Sequence, residues 1–64
     1  MKIYKVSFEL IKENKSINIL VFEIEIHLHT LRLADYTTGQ TIEYKTSNIK
    51  NLKIEEEQNK WQTL

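Results

Sequence analysis

The stretch Leu20–Leu33, LVFEIEIHLHTLRL, decides how this chain folds. Leu20, Phe22, Ile24, Ile26 and Leu28 fall on every second residue, and Glu23, Glu25, His27 and His29 fill the places between them. That is the period of a strand and not of a helix. The apolar set then moves to odd positions at Leu31 and Leu33. Both sets reach one core only if the parity slips by one residue near His29 and Thr30. A tight two-residue hairpin there lacks the Gly, Asn or Asp that such turns favour, so the pattern predicts a β-bulge or corner instead. A strand this long, where five or six residues is usual, also has to bend.

Upstream, Ile3–Lys12 alternates with Tyr4, Val6, Phe8 and Leu10 on one face, which reads as a half-buried first strand. Residues 12–16, KENKS, form a polar break of hairpin length, and alternation resumes at Ile17. With Ile11 opposite Ile17, Phe8 faces Leu20, Val6 faces Phe22, Tyr4 faces Ile24, and Lys5 meets Glu23 as an opposite-charge pair. A slip by one residue would mix apolar with charged side chains, so the pattern predicts a fixed parity.

Downstream, residues 33–44, LADYTTGQTIEY, present two strands around Thr38 and Gly39, the only glycine in the chain. A four-residue connection that sets Leu33 opposite Tyr44 keeps both on the core side. Thr41–Thr46 is then a strand with Ile42 and Tyr44 inward. Residues 46–51 form a polar connection containing Ile49, and Leu52–Glu56 resumes the alternation through Leu52 and Ile54. The competing reading is a helix from Ser47 as N-cap to Trp61. It would put Lys50 and Lys53 near the positive end of the helix dipole and Glu55, Glu56 and Glu57 further along, the unfavourable order. Gln58–Lys60 reads as a turn and Trp61–Leu64 as a short edge strand or ordered tail, with Trp61 packed on the domain or on a partner. The sum is an all-β antiparallel meander of five to six strands. Its most economical form is a small SH3-like or OB-like barrel with a long bent second strand; the alternative is a β-meander with a short C-terminal helix.

At 64 residues the chain has room for one domain, residues 1–64, and a chain of about this size buries only about 60% of its unfolded surface. It contains no cysteine, which removes both disulfides and thiolate zinc as supports. Extra stability must then come from oligomerisation, a partner or close packing, and a homodimer is favoured over a monomer. Nine Lys and Arg balance nine Asp and Glu, so no long-range field draws the protein to phosphate backbones or anionic membranes. MKIYKVSFEL lacks the apolar core of a signal peptide, and the longest apolar run, Ile19–Phe22, is far short of a membrane span. These features fit a cytoplasmic protein.

The chemistry concentrates on one strand face. Glu23, Glu25, His27 and His29 stand roughly 7 Å apart in succession, and an HxH pair on a strand can offer two imidazoles to a divalent metal. No third ligand is evident beside them, and a half-exposed strand carries alternating polar residues in any case. No metal site is therefore assigned, His27 and His29 being the candidates. Tyr36 at a hairpin tip and Trp61 in the tail could stack bases, with Lys45, Lys50, Lys53 and Lys60 nearby as phosphate contacts. A single arginine and the acidic run Glu55–Glu57 weigh against that reading. The acidic run reads more simply as a solvated edge that blocks strand aggregation. With no thiol, no glycine-rich phosphate loop, no nucleophile elbow and one aspartate, the chain reads as a non-enzyme without a cofactor. The leading expectation is a small protein-binding module, an adaptor or stoichiometric inhibitor of the kind mobile elements carry. It would act through an exposed strand edge or through Glu23, Glu25, His27 and His29, with Tyr36 and Trp61 as further contacts. The alternatives are a single-stranded nucleic-acid-binding barrel and, third, divalent-metal binding through the HxH strand.

Overall fold

The computed structural model describes residues 2–57. They form one antiparallel sheet of five strands, with no α-helix: β1 (Ile3–Leu10), β2 (Lys15–Ile26), β3 (Thr30–Asp35), β4 (Thr41–Lys45) and β5 (Ile49–Glu57). A single 3-10 turn, Thr46–Asn48, joins β4 to β5. The order across the sheet is β4-β3-β2-β1-β5, so β4 and β5 are its edges and the hydrogen-bonded ladder is open between them among the described residues. The segment that could have been a helix from Ser47 is the 3-10 turn followed by β5. Trp61 and the expected turn and tail from Gln58 onward lie outside the described residues.

The first hairpin corrects the expected register. Leu10 pairs with Lys15, leaving Ile11–Asn14 as a four-residue loop, and Phe8 pairs with Ile17, Val6 with Ile19 and Tyr4 with Val21. This differs by three residues from the alignment of Ile11 with Ile17, so Ile17, Ile19 and Val21 point into the core while Leu20 lies half-exposed on the outer face opposite Lys5. Asn14 is the cause: it takes the left-handed conformation at φ 52°, which asparagine tolerates better than other side chains, and so closes the loop before Lys15. The charged partner of Lys5 is Glu55 of β5 in register, not Glu23.

The expected even-to-odd slip near His29 and Thr30 is not a bulge: the two-residue turn there sets even residues of β2 against odd residues of β3. A separate slip, from odd to even, lies earlier, within β2. Val21 pairs with Asp35 and Glu23 with Ala34, so Phe22 is one extra residue on β2 and forms a bulge. Beyond it the inward set is Ile24 and Ile26, opposite Leu33 and Leu31. The 12-residue β2 therefore serves the core with odd residues in its first half and even residues in its second. The β2–β3 connection is a tight hairpin, contrary to the expected corner: the His27 N–H donates to the Thr30 carbonyl at 2.8 Å, with Leu28 and His29 between. Thr46 supports this turn, its N–H donating to the His29 carbonyl at 3.0 Å and its hydroxyl to the Leu28 carbonyl at 3.2 Å. Neither Leu28 nor His29 takes a positive φ, so this turn does not call on the backbone freedom of glycine or asparagine.

The β3–β4 loop has the expected length of four residues but consists of Tyr36–Gly39, closed by the Asp35 N–H donating to the Gln40 carbonyl at 2.8 Å, where the expected register would leave Thr37–Gln40. Gly39 takes φ 75° in it. Leu33 faces Ile42 instead of Tyr44, a two-residue difference that leaves both on the core side. Val6, Phe8, Leu10, Val21, Leu31 and Leu33 form the buried core, with Tyr4, Ile17, Ile19, Ile24, Tyr44 and Ile49 packed around it. Each comes from the concave face of the curled sheet. A small chain can close a core this way because one sheet supplies both walls.

Candidate protein-binding edge

Of the four-residue Glu/His face, Glu23, Glu25 and His27 keep one side of the β2–β3 ladder, which the His27 N–H continues to Thr30, while His29 lies in the turn. Glu23 and Glu25 lie on β2 beyond the bulge, but β2 ends at Ile26, and His27 and His29 belong to the hairpin that follows. Glu25 is engaged by Arg32 of β3, whose guanidinium reaches Glu25 Oε1 at 3.4 Å and Glu43 Oε2 of β4 at 2.8 Å. These three side chains make a cross-strand charge ladder on the convex face, and the flanking carboxylates, Glu43 first, raise the Arg32 pKa above its ordinary value. Tyr36 sits in the β3–β4 loop, at the opposite end of the six-residue β3 from His27 and His29 and thus about 20 Å from them. The structure therefore places Tyr36 apart from Glu23, Glu25, His27 and His29. Among the described residues no group of three or more His, Asp or Glu side chains is placed to hold a metal ion.

The surface that the chain does assemble lies along β5. In register, Val6 pairs with Ile54 and Tyr4 with Glu56, so Leu52, Ile54 and Glu56 stand on the concave side while Lys53 and Glu55 stand on the convex side. Leu10 pairs with Ile49, which also faces inward. Ile49 and Leu52 share a face although three residues apart because β5 carries its own bulge between the Ser7–Lys53 and Glu9–Lys50 pairs. Asn51 occupies it at φ 57°, with its Nδ2 donating to Glu9 Oε2 at 2.6 Å.

This bulge opens a groove of about 210 Å³ between β5 and the far end of the β2–β3 hairpin, with an apolar floor of Ile26, Leu31, Ile49 and Leu52. Ile26 is 63% exposed, Leu52 41% and Ile54 39%, a concentration of partly solvated aliphatic surface in a chain with little apolar area to spare. The turn tip adds Leu28 at 85% exposure. The start of β5, next to the groove, is anchored: Asn48 of the 3-10 turn accepts the Ile11 N–H on its carbonyl at 2.9 Å and the Lys12 N–H on Oδ1 at 2.8 Å, and donates to Glu13 at 2.9 Å.

Leu52 and Ile54 were legible as an inward pair from their alternation. Ile26 was legible only as one rung of a longer apolar face, because the end of β2 is set by the Leu28–His29 turn. Among the described residues no helix is long and apolar enough to cross a membrane. No protein family, no curated protein and no solved structure matches this chain.

Proposed function

We propose that this protein is a small, non-enzymatic protein-binding module of the SH3-like or OB-like barrel kind, and that it works by accepting an extended segment of a partner along β5. The observation that carries this reading is the open outer edge of β5 beside the apolar groove of Ile26, Leu31, Ile49 and Leu52. An unpaired edge offers a row of backbone donors and acceptors to an incoming strand, and pockets next to it read alternate side chains of that strand. The barrel reading is supported by the strong curl of the sheet and by the short 3-10 connection that keeps β4 and β5 on the same side of the core. An adaptor or stoichiometric inhibitor needs no more chemistry than this.

The ligand chemistry follows from the charges along the edge. Lys50 and Lys53 precede Glu55, Glu56 and Glu57, so an antiparallel ligand strand fits best with basic residues first, aliphatic residues near Ile54 and acidic residues last. The test is affinity capture with the full chain from its host, followed by hydrogen exchange on the purified complex. Slowed exchange along Ile49–Glu57, together with weaker binding by Leu52→Ala, supports the edge. Unchanged β5 exchange with protection elsewhere overturns it. Binding lost on Ala substitution of Glu23, Glu25, His27 and His29 but kept in Leu52→Ala moves the contact to the polar side of β2 and its turn.

A further inference from the structure

The ligand pattern that suits β5 is found in this chain: it is β5. The sequence Ile49–Glu57 is basic in its first half, aliphatic at Leu52 and Ile54 and acidic in its second half, and an antiparallel copy of itself presents those features in the matching order. We infer that the β5 edge is the interface of a symmetric dimer, in which the two β5 strands pair about a two-fold axis through Ile54 and continue the sheet from one protomer into its partner. This rests on the reading of β5 as a binding edge and names its occupant.

Symmetry and charge together select the register. Two identical strands paired antiparallel are related by an axis normal to the sheet, which keeps each residue on its own face. Residues directly opposed must also share a face, so the two residue numbers in every pair sum to an even value. A sum of 110 opposes Glu55 to Glu55, and a sum of 106 opposes Lys53 to Lys53; both are like-charge contacts at the centre of the ladder. A sum of 104 opposes Leu52 to Leu52 but pairs no opposite charges. A sum of 108 sets Ile54 against Ile54 on the axis and Lys53 against Glu55 twice, with no like charges directly opposed.

Glu55 thus acts as a filter as well as a guard, disfavouring the register that opposes it to itself, as Lys53 does its own, while the Lys53–Glu55 rung admits one. Both Lys53–Glu55 rungs stand on the convex side, where the two side chains already meet within one chain at 3.2 Å. The Ile54–Ile54 rung stands on the concave side, so Ile54, partly exposed in a single copy, gains cover from the partner, and Leu52 lies beside the methylene stem of the partner's Glu56. Continuing the sheet also pairs the long β5 edge, which is open among the described residues of a chain without cysteine.

Sedimentation velocity on the full chain tests this, with Lys53→Glu, Glu55→Lys and an equimolar mixture of the two variants. The wild-type chain is expected to dimerise, and each variant alone to dissociate about tenfold more readily, since its own rungs oppose like charges. The mixture is expected to recover dimer, because the two substituted positions meet with opposite charges across one rung and the native Glu55 and Lys53 meet across the other. That recovery separates the interface from the pair within one chain, which is disrupted in both variants, and circular dichroism of each variant checks that it folds. Wild-type chain that stays monomeric at several hundred micromolar, or a mixture that recovers nothing, overturns the dimer. If a heterologous partner nevertheless protects β5 from exchange, the binding edge survives and only its occupant changes; if β5 is engaged by neither, both readings fall.

Discussion

Phe8 of β1 and Tyr44 of β4 meet edge to face, with ring centroids 5.0 Å apart and planes at 71°, although two strands separate theirs in the sheet. On a flat sheet three strand spacings of about 4.8 Å would hold them roughly 14 Å apart. The contact therefore measures how far the sheet curls. The Phe22 bulge lets β2 turn this corner: it allows one strand to face Val6 and Phe8 with its first half and Leu33 with its second.

The Phe8–Tyr44 contact is expected to couple the two walls of the core. Phe8 is 2% exposed, and an aromatic pair of this geometry contributes about 0.5–1.5 kcal/mol beyond area burial. Phe8→Leu, Tyr44→Leu and the double variant, compared by urea unfolding, should give a coupling free energy in that range. Additive losses would mean that the curl is held by the aliphatic residues alone.

The same contact shows which parts of the fold were legible in the sequence and why. Strand identities, the four-residue length of the β3–β4 loop and the inward residues Val6, Phe8, Leu10, Leu31, Leu33, Ile42 and Tyr44 follow from period-two alternation, because the large apolar residues of those segments keep mostly one parity; Ile3 and Ala34, buried on the other parity, do not follow from it. In residues 17–22, INILVF, only Asn18 breaks the apolar run, so both parities can face a core and alternation does not choose between them. Asn14 makes the choice by closing the first loop, which fixes the register of everything after it. The Glu/His pattern runs on to His29 for a related reason: the Leu28–His29 turn leaves little trace in a pattern of alternating residues. The groove beside β5 depends on the Asn51 bulge and on where β2 ends, and neither is a property of local alternation.

Stability is expected to depend on Asp35 at the acid end of the pH range. Its Oδ1 accepts the Thr37 hydroxyl at 2.7 Å and the Thr37 and Thr38 N–H groups at 2.8 and 3.4 Å, and these bonds, the hydroxyl first, hold its pKa below the ordinary 3.8. A depressed carboxylate stabilises the fold above the unfolded pKa, and that contribution is lost as pH falls through the folded value. Asp35→Asn should therefore lower the urea midpoint at pH 7 and match wild type near pH 2. Thr37→Val should move the Asp35 carboxyl titration, followed by NMR, back toward 3.8.

At the alkaline end Tyr44 provides the opposite case. Burial, and secondarily the charge of Asp35, push its phenol above the ordinary 10.0. The unfolded chain then ionises first, so the stabilisation is whole below that value and is lost as pH rises through the raised one. Tyr44→Phe keeps the ring against Phe8 and removes the titration. Its urea midpoint should fall less steeply than that of wild type between pH 9 and pH 11, a window set by that 10.0.

Arg32 should matter chiefly at low salt. Its forked contact with Glu43 and the longer one with Glu25 lie on the solvated convex face, where mobile ions screen charge pairs. Arg32→Met is expected to lower the thermal midpoint in dilute buffer by much less than Phe8→Leu does, and the difference from wild type should vanish in 1 M sodium chloride, where the Debye length is about 3 Å. A loss unchanged by salt would show that the arginine stem, covering apolar surface, is what counts.

Asn51 is the residue on which the shape of the β5 edge turns. At φ 57° it occupies the left-handed region, which costs most L-residues roughly 1–2 kcal/mol, and it also donates to Glu9 at 2.6 Å. Two substitutions separate these roles. Asn51→Gly removes the bond and keeps the conformation, so the domain should retain nearly all of its stability, because the lost bond is between exposed groups. Asn51→Ala removes the bond and strains the backbone, and should cost about 1–2 kcal/mol more in urea unfolding. If the strain is relieved by abolishing the bulge, Ile49 and Leu52 no longer share a face and the groove closes. Amide shifts of Ile49, Lys50 and Leu52 would then move together in Asn51→Ala and stay near their wild-type positions in Asn51→Gly. Equal stability of the two variants would show that the bulge is set by the packing of Ile49 and Leu52 rather than by the conformation of residue 51.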